Sequence, residues 1–438
     1  MLRDTIFALA SAPGRAGVAV VRISGPDAGN CVKALTHQDI PSARQAALRR
    51  FWSGDGRQID EGLVLWFPAP ASLTGEDVAE FQVHGGRAIV DGLATAIGVL
   101  PGCRPAEAGE FTRRAVLNGK FDLTQAEAIA DLVAAETEAQ RHQALRQYDG
   151  ALGTLYEAWR QQLIKALAWA EAAIDFSEED LPGDPVSGAR GNALAVCRAI
   201  RAHLNDARRG ELVREGLFLT VIGPPNAGKS SLVNALAGRD VAIVSESAGT
   251  TRDVIEVRMD LGGYAVILAD TAGLRAAGGE LEAEGVRRAL ARAESADLVL
   301  LLLDGSDEKS SINMPENMVN KPYLTVWNKA DLPWPVKREE LKLSLKTGEG
   351  FEAVIAAIAA AAKDRLDSPG DAPLLTRARH RHALNDAAAA LERAAGACEP
   401  ELFAEDLRLA LRALGRITGR VDVEDLLDTI FRDFCIGK

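Results

Sequence analysis

The chain has 438 residues, of which 62 are acidic and 50 are basic, so its formal net charge is −12 at pH 7. Apolar residues make up 47% and charged residues 26%, a balance that is ordinary for a globular protein and too apolar for a disordered one. No run of about 18 apolar residues occurs, which argues against a membrane-spanning helix, and the negative charge argues against non-specific coating of nucleic acids.

The cysteines and the N-terminus indicate the cellular compartment. The cysteines are far apart and have no metal-ligand spacing, as expected in a reducing compartment. They are Cys31, Cys103, Cys197, Cys398 and Cys435. Residues 1–5 lack the basic start that opens a signal peptide. We therefore predict a cytoplasmic protein, and the length suggests two to four domains.

The first segment alternates β-rich runs with glycine and proline, which is typical of a domain that contains a sheet. The predicted strands cover residues 17–23, 63–67 and 78–83. Two glycines end the third strand, and a helix is predicted over residues 89–100.

Helical sequence flanks a different, central segment. Alanine-rich sequence with apolar positions three and four residues apart covers residues 121–176, and a further helix is predicted over residues 188–210. After a linker at residues 368–373, helical sequence continues almost to the C-terminus. Because an apolar helix face needs a partner, we expect the two flanks to form one domain into which the central segment is inserted. Two separate helical bundles are the alternative.

The central segment, residues 217–365, alternates short apolar strands with helices, which is typical of a mostly parallel sheet. A predicted strand over residues 217–222 leads into residues 223–230, which match the pattern G-x-x-x-x-G-K-[ST]. In this pattern the backbone wraps phosphate oxygens, Lys229 reaches the β- and γ-phosphates, and the Ser230 hydroxyl binds Mg²⁺. The segment therefore predicts a nucleoside triphosphate site.

Further phosphate-side residues follow a predicted hairpin. The runs 254–261 and 264–269 are separated by two glycines, and an antiparallel pair of this kind within a parallel sheet is how the G domain of GTPases is built. The hairpin leads to residues 270–273, whose aspartate can hold Mg²⁺ through water and whose glycine amide can contact the γ-phosphate. In the loop before the hairpin, the Thr251 hydroxyl is a candidate second Mg²⁺ ligand.

The residue that orients the attacking water is not fixed by the local pattern. Leu274 stands where Ras-like enzymes carry a glutamine, so another side chain must do this work. The candidates are Glu280, Glu282 and Glu284, and a solvated acidic helix start is the alternative interpretation of all three.

A guanine-reading motif follows the predicted strand 324–327. It is Asn328-Lys329-Ala330-Asp331, in which the Asp331 carboxylate can accept hydrogen bonds from the N1–H and the exocyclic amine of guanine. Adenine offers neither in that geometry, so ATP would leave a buried charge unpaired. Residues 344–346 (Ser-Leu-Lys) follow at an interval that suits the other side of the base. The order of these motifs predicts that the chain binds GTP.

With these motifs, the chain resembles the MnmE (TrmE) family of tRNA-modification GTPases along its whole length. A generic GTPase shares none of the additional segments that carry the resemblance. They are residues 12–25, 74–78, 84–86, 109–115, 118–128 and 435–438.

The resemblance implies an α/β and α+β multidomain protein with three parts. An N-terminal tetrahydrofolate-binding α+β domain, which also mediates dimerisation, is expected over residues 1–118. A helical domain is expected over residues 119–212 and 369–438, with an inserted Ras-like P-loop G domain over residues 213–368.

The family's GTP contacts transfer residue by residue onto this sequence. The expected GTP-binding residues are Asn226, Ala227, Gly228, Lys229, Ser230, Ser231, Ser245, Glu246, Ser247, Ala248, Gly249, Thr250, Thr251, Asp270, Thr271, Ala272, Gly273, Asn328, Lys329, Asp331, Ser344, Leu345 and Lys346. Leu345 stands where the family more often has alanine, which should matter little because the backbone makes most base contacts there.

The resemblance also implies two cations and a catalytic glutamate. Mg²⁺ is expected on Ser230 and Thr251. The family uses K⁺ where other GTPases use an arginine finger, because a fixed cation beside the β- and γ-phosphates supplies the same charge. The residues that match its K⁺ site are Asn226, Ser245, Ser247 and Thr250. The family's water-orienting residue falls on Glu282.

In the N-terminal part, Arg22, Glu80 and Lys120 match the family's folate contacts, and the C-terminal Lys438 completes that pocket. The implied ligand is a one-carbon tetrahydrofolate in the 5-formyl or methylene form. Cys435 is a candidate for a role in the modification, although the sequence does not give the pKa on which a thiol's reactivity depends.

The function that the resemblance implies is a K⁺-activated GTPase. The chain would act as a homodimer, together with the partner MnmG (GidA), in a heterotetramer or larger complex. FAD would be bound by the partner only. The complex would add an aminomethyl or carboxymethylaminomethyl group to C5 of the wobble uridine of certain tRNAs, with no membrane involved. GTP hydrolysis would drive G-domain dimerisation and a conformational change. The acidic chain would bind tRNA through the partner or through local clusters such as residues 377–382.

Two other functions compete with this one. An Era-like GTPase for ribosome assembly would need an RNA-binding appendage such as a KH domain, and none is evident in the sequence. A folate-dependent aminomethyl transferase would use the G domain only for regulation.

Overall fold

The computed structural model describes residues 4–175, 185–238, 242–243, 257–268, 294, 296–311, 321–335, 340–367, 373–421, 427, 430, 431, 434 and 437. It contains two separate sheets and many helices, which confirms the predicted fold class. Within those residues, no helix combines the length and the apolarity needed to cross a bilayer.

The chain divides into two compact units. Met1–Ala130, Gly153–Leu167 and Leu407–Lys438 form the first, and Asp131–Leu152 with Ala168–Asp406 form the second. This division cuts across the expected boundaries at 118, 212 and 368, which remain predictions.

The first unit is built on a six-stranded sheet with the order β3-β4-β5-β2-β1-β6. The strands are β1 Thr5–Leu9, β2 Ala19–Ser24, β3 Ala47–Trp52, β4 Gln58–Phe67, β5 Val78–Val83 and β6 Cys103–Pro105. Only the β1–β6 pair is parallel. The helices α1 Ala28–Thr36 and α2 Arg87–Gly98 cover a core that contains Phe51 and Phe81, and α3 Glu110–Leu117 follows.

The predicted helical stretch 121–176 forms three helices. They are α4 Leu123–Ala134, α5 Glu138–Tyr148 and α6 Ala151–Asp175. A capping box starts α5, because the Gln140 N–H donates to the Thr137 hydroxyl while the Thr137 N–H donates to the Gln140 side chain.

The prediction of one helix over residues 188–210 is wrong at its C-terminal end. The structure has α7 Pro185–Leu204 and then α8 Arg209–Glu215. Ala207 and Arg208 have φ of +52° and +62°, a conformation that an α-helix does not contain, so the chain turns there.

The second unit contains a seven-stranded sheet with the order β13-β12-β11-β7-β10-β9-β8. Its strands are β7 Leu217–Ile222, β8 Ala242–Ile243, β9 Val257–Leu261, β10 Tyr264–Leu268, β11 Leu298–Asp304, β12 Tyr323–Asn328 and β13 Leu341–Lys342, with α9 Lys229–Ala237 and α10 Phe351–Leu366. Strands β13 to β10 are parallel, and β9 is antiparallel to both of its neighbours. The predicted hairpin is thus confirmed as β9–β10. The loops that follow the parallel strands β7, β11, β12 and β13 lie at one edge of the sheet.

Two helices that follow this sheet are α11 Ala378–Gly396 and α12 Pro400–Thr418. In the second unit α11 packs against α7, where the Cys197 thiol donates to the Ala388 carbonyl at 3.7 Å and Arg201 pairs with Glu392 at 2.8 Å. In the first unit, Leu123 of α4 shares a core with Phe431. Residues from the two flanks of the central segment are therefore in direct contact.

A buried arginine ties the N-terminal strand to α3. The Arg114 guanidinium is 0% exposed and donates to Asp4 at 2.9 Å, to Glu110 at 2.9 Å and to Glu76 at 3.2 Å. Arg104 adds a bidentate pair with Glu110 at 2.6 and 2.8 Å. Burial alone would raise the pKa of Asp4 and of Glu110, but hydrogen bonds from Arg104 and the charge of Arg114 hold both pKa values below their usual range.

We expect Arg114→Met to lower the free energy of unfolding by about 3–5 kcal/mol in urea denaturation, because it removes a fully buried cation that pairs with Asp4, Glu76 and Glu110. The matched control is Arg50→Met, which removes an exposed pair with Glu61 and should cost at most about 1 kcal/mol.

The same network predicts a pH dependence. The folded pKa values of Asp4 and Glu110 lie below the ordinary 3.8 and 4.5, so their stabilising contribution is complete above those values and is lost as the pH falls through the folded pKa values. Equal stabilities of Arg114→Met and the control at pH 7 would contradict the assigned role of the network.

Candidate functional site

The predicted phosphate loop lies in the turn between β7 and α9. Asn226 and Gly228 have φ of +62° and +100°. A Cβ on Gly228 would lie 2.4 Å from the Asn328 amide nitrogen, and one on Gly223 would lie 2.0 Å from the Leu302 carbonyl oxygen. Both glycines of the motif are therefore required by the close approach of neighbouring groups.

Lys229 is the first residue of α9, and its ammonium group places a positive charge in the phosphate loop. Its ammonium donates to the carbonyl oxygens of Gly223 and Pro224, both at 2.8 Å. Burial lowers the pKa of Lys229. Ser230 and Ser231 follow in the first turn of α9, where backbone N–H groups have no acceptor within the helix. The phosphate loop and the first turn of α9 thus offer ammonium, hydroxyl and N–H donors, which are groups that bind phosphate oxygens.

Asn328 connects the phosphate loop to the loops after β12 and β13. The residue ends β12 and is 4% exposed. Its Nδ2 donates to the Ala227 carbonyl at 2.8 Å, and its Oδ1 accepts from the Leu345 N–H at 3.3 Å. One amide therefore uses its donor and its acceptor to join three loops.

Lys329 pairs with a residue that the sequence analysis did not identify. Its ammonium donates to Asp304 Oδ2 at 2.5 Å, and the other oxygen of Asp304 accepts from the Ser306 N–H at 3.0 Å. Burial would raise the pKa of Asp304, but these hydrogen bonds hold it below its usual range. The available signal was a carboxylate directly after the apolar run 298–303.

Asp331 and Ser344 meet at the other end of the site. The buried Ser344 hydroxyl donates to Asp331 Oδ1 at 2.7 Å, and this hydrogen bond holds the pKa of the exposed Asp331 carboxyl below its usual range. The charges of Lys346 and Lys329 act in the same direction. The Thr347 N–H donates to Ser344 Oγ at 3.2 Å, which fixes the hydroxyl. The structure thus brings the predicted base-reading residues and the phosphate loop to one edge of the sheet.

Several predicted site residues lie outside the part of the chain that the structure describes. They are Ser245, Glu246, Ser247, Ala248, Gly249, Thr250, Thr251, Asp270, Thr271, Ala272, Gly273, Glu282, Cys435 and Lys438.

The residues of the phosphate loop fit the expected cations by chemistry. Ser230 offers a hydroxyl oxygen and Asn226 an amide oxygen, and oxygen ligands are what Mg²⁺ and other hard cations prefer. Across the described ranges, no group of three or more His, Cys, Asp or Glu side chains is arranged to hold a metal ion. Cation binding by this loop would therefore rest on hydroxyl, amide and phosphate oxygens.

In the first unit, two of the predicted folate contacts lie together. Arg22 and Glu80 face each other across β2 and β5, and the Arg22 Nε donates to Glu80 Oε1 at 2.9 Å. The Arg22 guanidinium lies 5.7 Å from the centre of the Phe111 ring. Lys120 instead donates to the Pro70 carbonyl at 3.0 Å. Arg22 and Glu80 thus form a half-buried pair of a cation and a carboxylate on the sheet.

The basic run 377–382 is largely engaged within the second unit. Arg377 pairs with Asp131 at 2.6 Å, and Arg381 pairs with Asp206 at 2.7 Å and with Glu211 at 2.9 Å. His380 is buried. Arg377 and Arg381 are therefore engaged in ion pairs within the unit, so these two side chains do not form the open basic cluster that was expected to bind tRNA.

Comparison with known proteins places the chain in a family. The MnmE helical domain matches residues 123–435, and the N-terminus of the GTP-binding protein TrmE matches residues 5–120. The chain is 55% identical over 443 residues to the tRNA modification GTPase MnmE of Parvibaculum lavamentivorans, covering 99% of this chain and 100% of that protein. The protein of the same name from Rhodospirillum rubrum is 54% identical over 457 residues, covering 100% of both chains.

A human relative is similar over nearly the same length. The mitochondrial 5-taurinomethyluridine-[tRNA] synthase subunit GTPB3 is 49% identical over 458 residues, covering 99% of this chain and 93% of that protein. Identity of this extent, over all the segments that distinguish the family from other GTPases, means that the chain belongs to the MnmE (TrmE) family of tRNA modification GTPases.

Proposed function

We propose that the chain is a K⁺-activated GTPase that takes part in modifying the wobble uridine of certain tRNAs. The observation that carries the GTPase part is one connected site, with the Lys229 ammonium at one end and the Asp331 carboxylate at the other. An ionised Asp331 can accept from both guanine N1–H and the exocyclic amine, which adenine cannot satisfy. The tRNA part is supported by membership of the family and by the relatives reported above, a tRNA modification GTPase and a subunit of a 5-taurinomethyluridine-[tRNA] synthase.

In hydrolysis, Lys229 would exchange its two carbonyl partners for β- and γ-phosphate oxygens, and the N–H groups of the loop would hold the same phosphates. Ser230 and Thr251 would hold Mg²⁺ directly, and Asp270 would hold it through a water molecule. When bound, Mg²⁺ and K⁺ supply positive charge beside the phosphates, where charge develops in the transition state.

The remaining assignments rest on the family's pattern. Asn226, Ser245, Ser247 and Thr250 would hold K⁺, and Glu282 would orient the attacking water.

The proposal includes a folate site and protein partners. The Glu80 carboxylate can accept from the amine edge of a pterin, and Arg22, Lys120 and Lys438 supply positive charge for a 5-formyl or methylene tetrahydrofolate. The chain would act in the cytoplasm as a homodimer with FAD-carrying MnmG, in a heterotetramer or larger complex. Cys435 stays a candidate for a role in the modification.

GTP turnover should be several-fold or more faster in K⁺ than in Na⁺ at equal ionic strength, measured by phosphate release. Asn226→Ala should lose this stimulation, because it removes a K⁺ ligand, while it still binds GDP. The control is Asn234→Ala, which changes the same residue type at an exposed position of α9 and should keep the stimulation. Equal wild-type rates in the two salts would contradict the cation mechanism.

Nucleoside mass spectrometry of tRNA tests the function as a whole. Cells that lack this chain should lose the C5-substituted wobble uridine. The wild-type chain should restore it and Lys229→Ala should not, because the variant cannot hold the phosphates. Lys309→Ala, at an exposed lysine, is the matched control and should restore the modification. Persistence of the modification without the chain would favour a ribosome-assembly GTPase instead.

A further inference from the structure

We infer that Trp334 is a positioning residue for guanine recognition, because its indole N–H holds the turn that presents Asp331. The inference rests on the proposed GTP site and names a residue outside its motifs. Trp334 lies three residues after Asp331 and is half-buried.

The turn begins at Lys329, whose φ of +65° lies in the left-handed region that non-glycine residues rarely adopt. Its carbonyl accepts two hydrogen bonds, one from the Leu332 N–H and one from the Trp334 Nε1–H, both at 3.0 Å. The Ala330 N–H donates to the Leu343 carbonyl at 2.9 Å. A strained conformation persists only where its surroundings fix it, and the indole is one of the few groups that do so here.

The indole ring of Trp334 is held in one place, here called its seat, between Gly305 and Lys342. A Cβ on Gly305 would lie 2.2 Å from Trp334 Cε2, so only glycine at that position lets the ring approach the loop after β11. The Lys342 ammonium lies 5.3 Å from the ring centre, which is a cation–π distance. Gly305 in turn donates its N–H to the Asn328 carbonyl at 2.9 Å. The seat of Trp334 is therefore built from the loops that form the site.

This arrangement matters because the side-chain hydrogen bond described for the Asp331 carboxylate reaches only one of its two oxygens. Ser344 fixes Oδ1 at 2.7 Å, and the residue is exposed, so the direction of the second carboxylate oxygen depends on the backbone of the turn. Two acceptor oxygens are needed to pair with the N1–H and the exocyclic amine together. Loosening the turn should therefore weaken recognition of the base more than binding of the phosphates.

The test is Trp334→Phe, which keeps an aromatic ring in the seat and removes the N–H donor. Calorimetry with GDP and with IDP, which lacks the exocyclic amine, separates base recognition from phosphate binding. We expect GDP to bind about 5–10-fold more weakly and IDP to change less, so that the ratio of the two affinities falls. In turnover, the KM for GTP should rise while kcat stays the same.

Two further variants keep the result interpretable. Gly305→Ala leaves residue 334 a tryptophan but should displace its indole through the new Cβ, and it should reproduce the fall in the GDP-to-IDP ratio. Trp327→Phe removes another indole donor of the same domain, whose N–H bonds to Glu340 at 2.7 Å. Trp334 packs against the apolar cluster that contains Trp327, so this variant tests whether altered packing alone changes the ratio. It should keep the ratio, because the hydrogen bond from Trp334 Nε1–H to the Lys329 carbonyl stays in place. Because Trp327 directly precedes Asn328, this variant is a stringent control for a general loosening of the nucleotide site.

The outcomes are distinguishable. A wild-type chain that does not bind GDP would overturn the proposed function itself. A wild type that binds GDP, with Trp334→Phe unchanged or with GDP and IDP weakened equally, would overturn the positioning role of Trp334. If Trp334→Phe does not fold in a thermal melt, Gly305→Ala decides by the same ratio.

Discussion

The side-chain amide of Asn328 is the contact on which the nucleotide site depends. Strand β11 lies between β7 and β12, so the phosphate loop and the guanine-reading motif follow strands that are not neighbours. Asn328 bridges this gap by donating to the Ala227 carbonyl and accepting from the Leu345 N–H. The same close approach explains why Gly228 must be glycine. This amide therefore supplies the described hydrogen bonds that join the phosphate end of the site to its base end.

Two charged side chains of the site, Lys229 and Asp331, have neutral described hydrogen-bond partners, so their charges can pair with a ligand. Lys329 is neutralised by Asp304 at the end of the neighbouring strand. The described hydrogen-bond partners of Lys229 and Asp331 are neutral: two carbonyls for the ammonium and a serine hydroxyl for the carboxylate. An ammonium at one end and a carboxylate at the other match the polarity of a guanine nucleotide, whose phosphates are anionic and whose base edge carries donors.

Local patterns predicted much of this site. The phosphate loop, the β9–β10 hairpin and the Asn328–Asp331 motif depend on residue types at short spacing, so one stretch of sequence carries them. Asp304 and Trp334 were missed because their roles depend on partners from other strands and loops. The turn at Ala207 and Arg208 was missed although a local signal was present, since Asn205, a residue type that often ends helices, directly follows the last residue of α7.

The ion-pair partners of charged side chains were the feature that the sequence predicted least well. The run 377–382 looks like an open basic cluster, but its partners Asp131, Asp206 and Glu211 come from far along the chain. Arg114 shows the same limit, because nothing local to α3 indicates that Asp4 and Glu76 will surround it. Buried ion pairs are fixed by the tertiary fold, and a motif records only one of the partners.

The nucleotide preference of Asp331→Asn is the measurement that shows whether Asp331 recognises guanine. An asparagine at this position can donate to the O2 of xanthine, whereas its NH₂ group faces the amine of guanine and cannot accept from it. We expect the variant to lose GTP affinity on the order of 10²-fold or more and to prefer xanthosine triphosphate, while Asp364→Asn, at an exposed position of α10, should bind as the wild type does. If Asp331→Asn kept the preference for GTP, Asp331 would not be the residue that recognises the base.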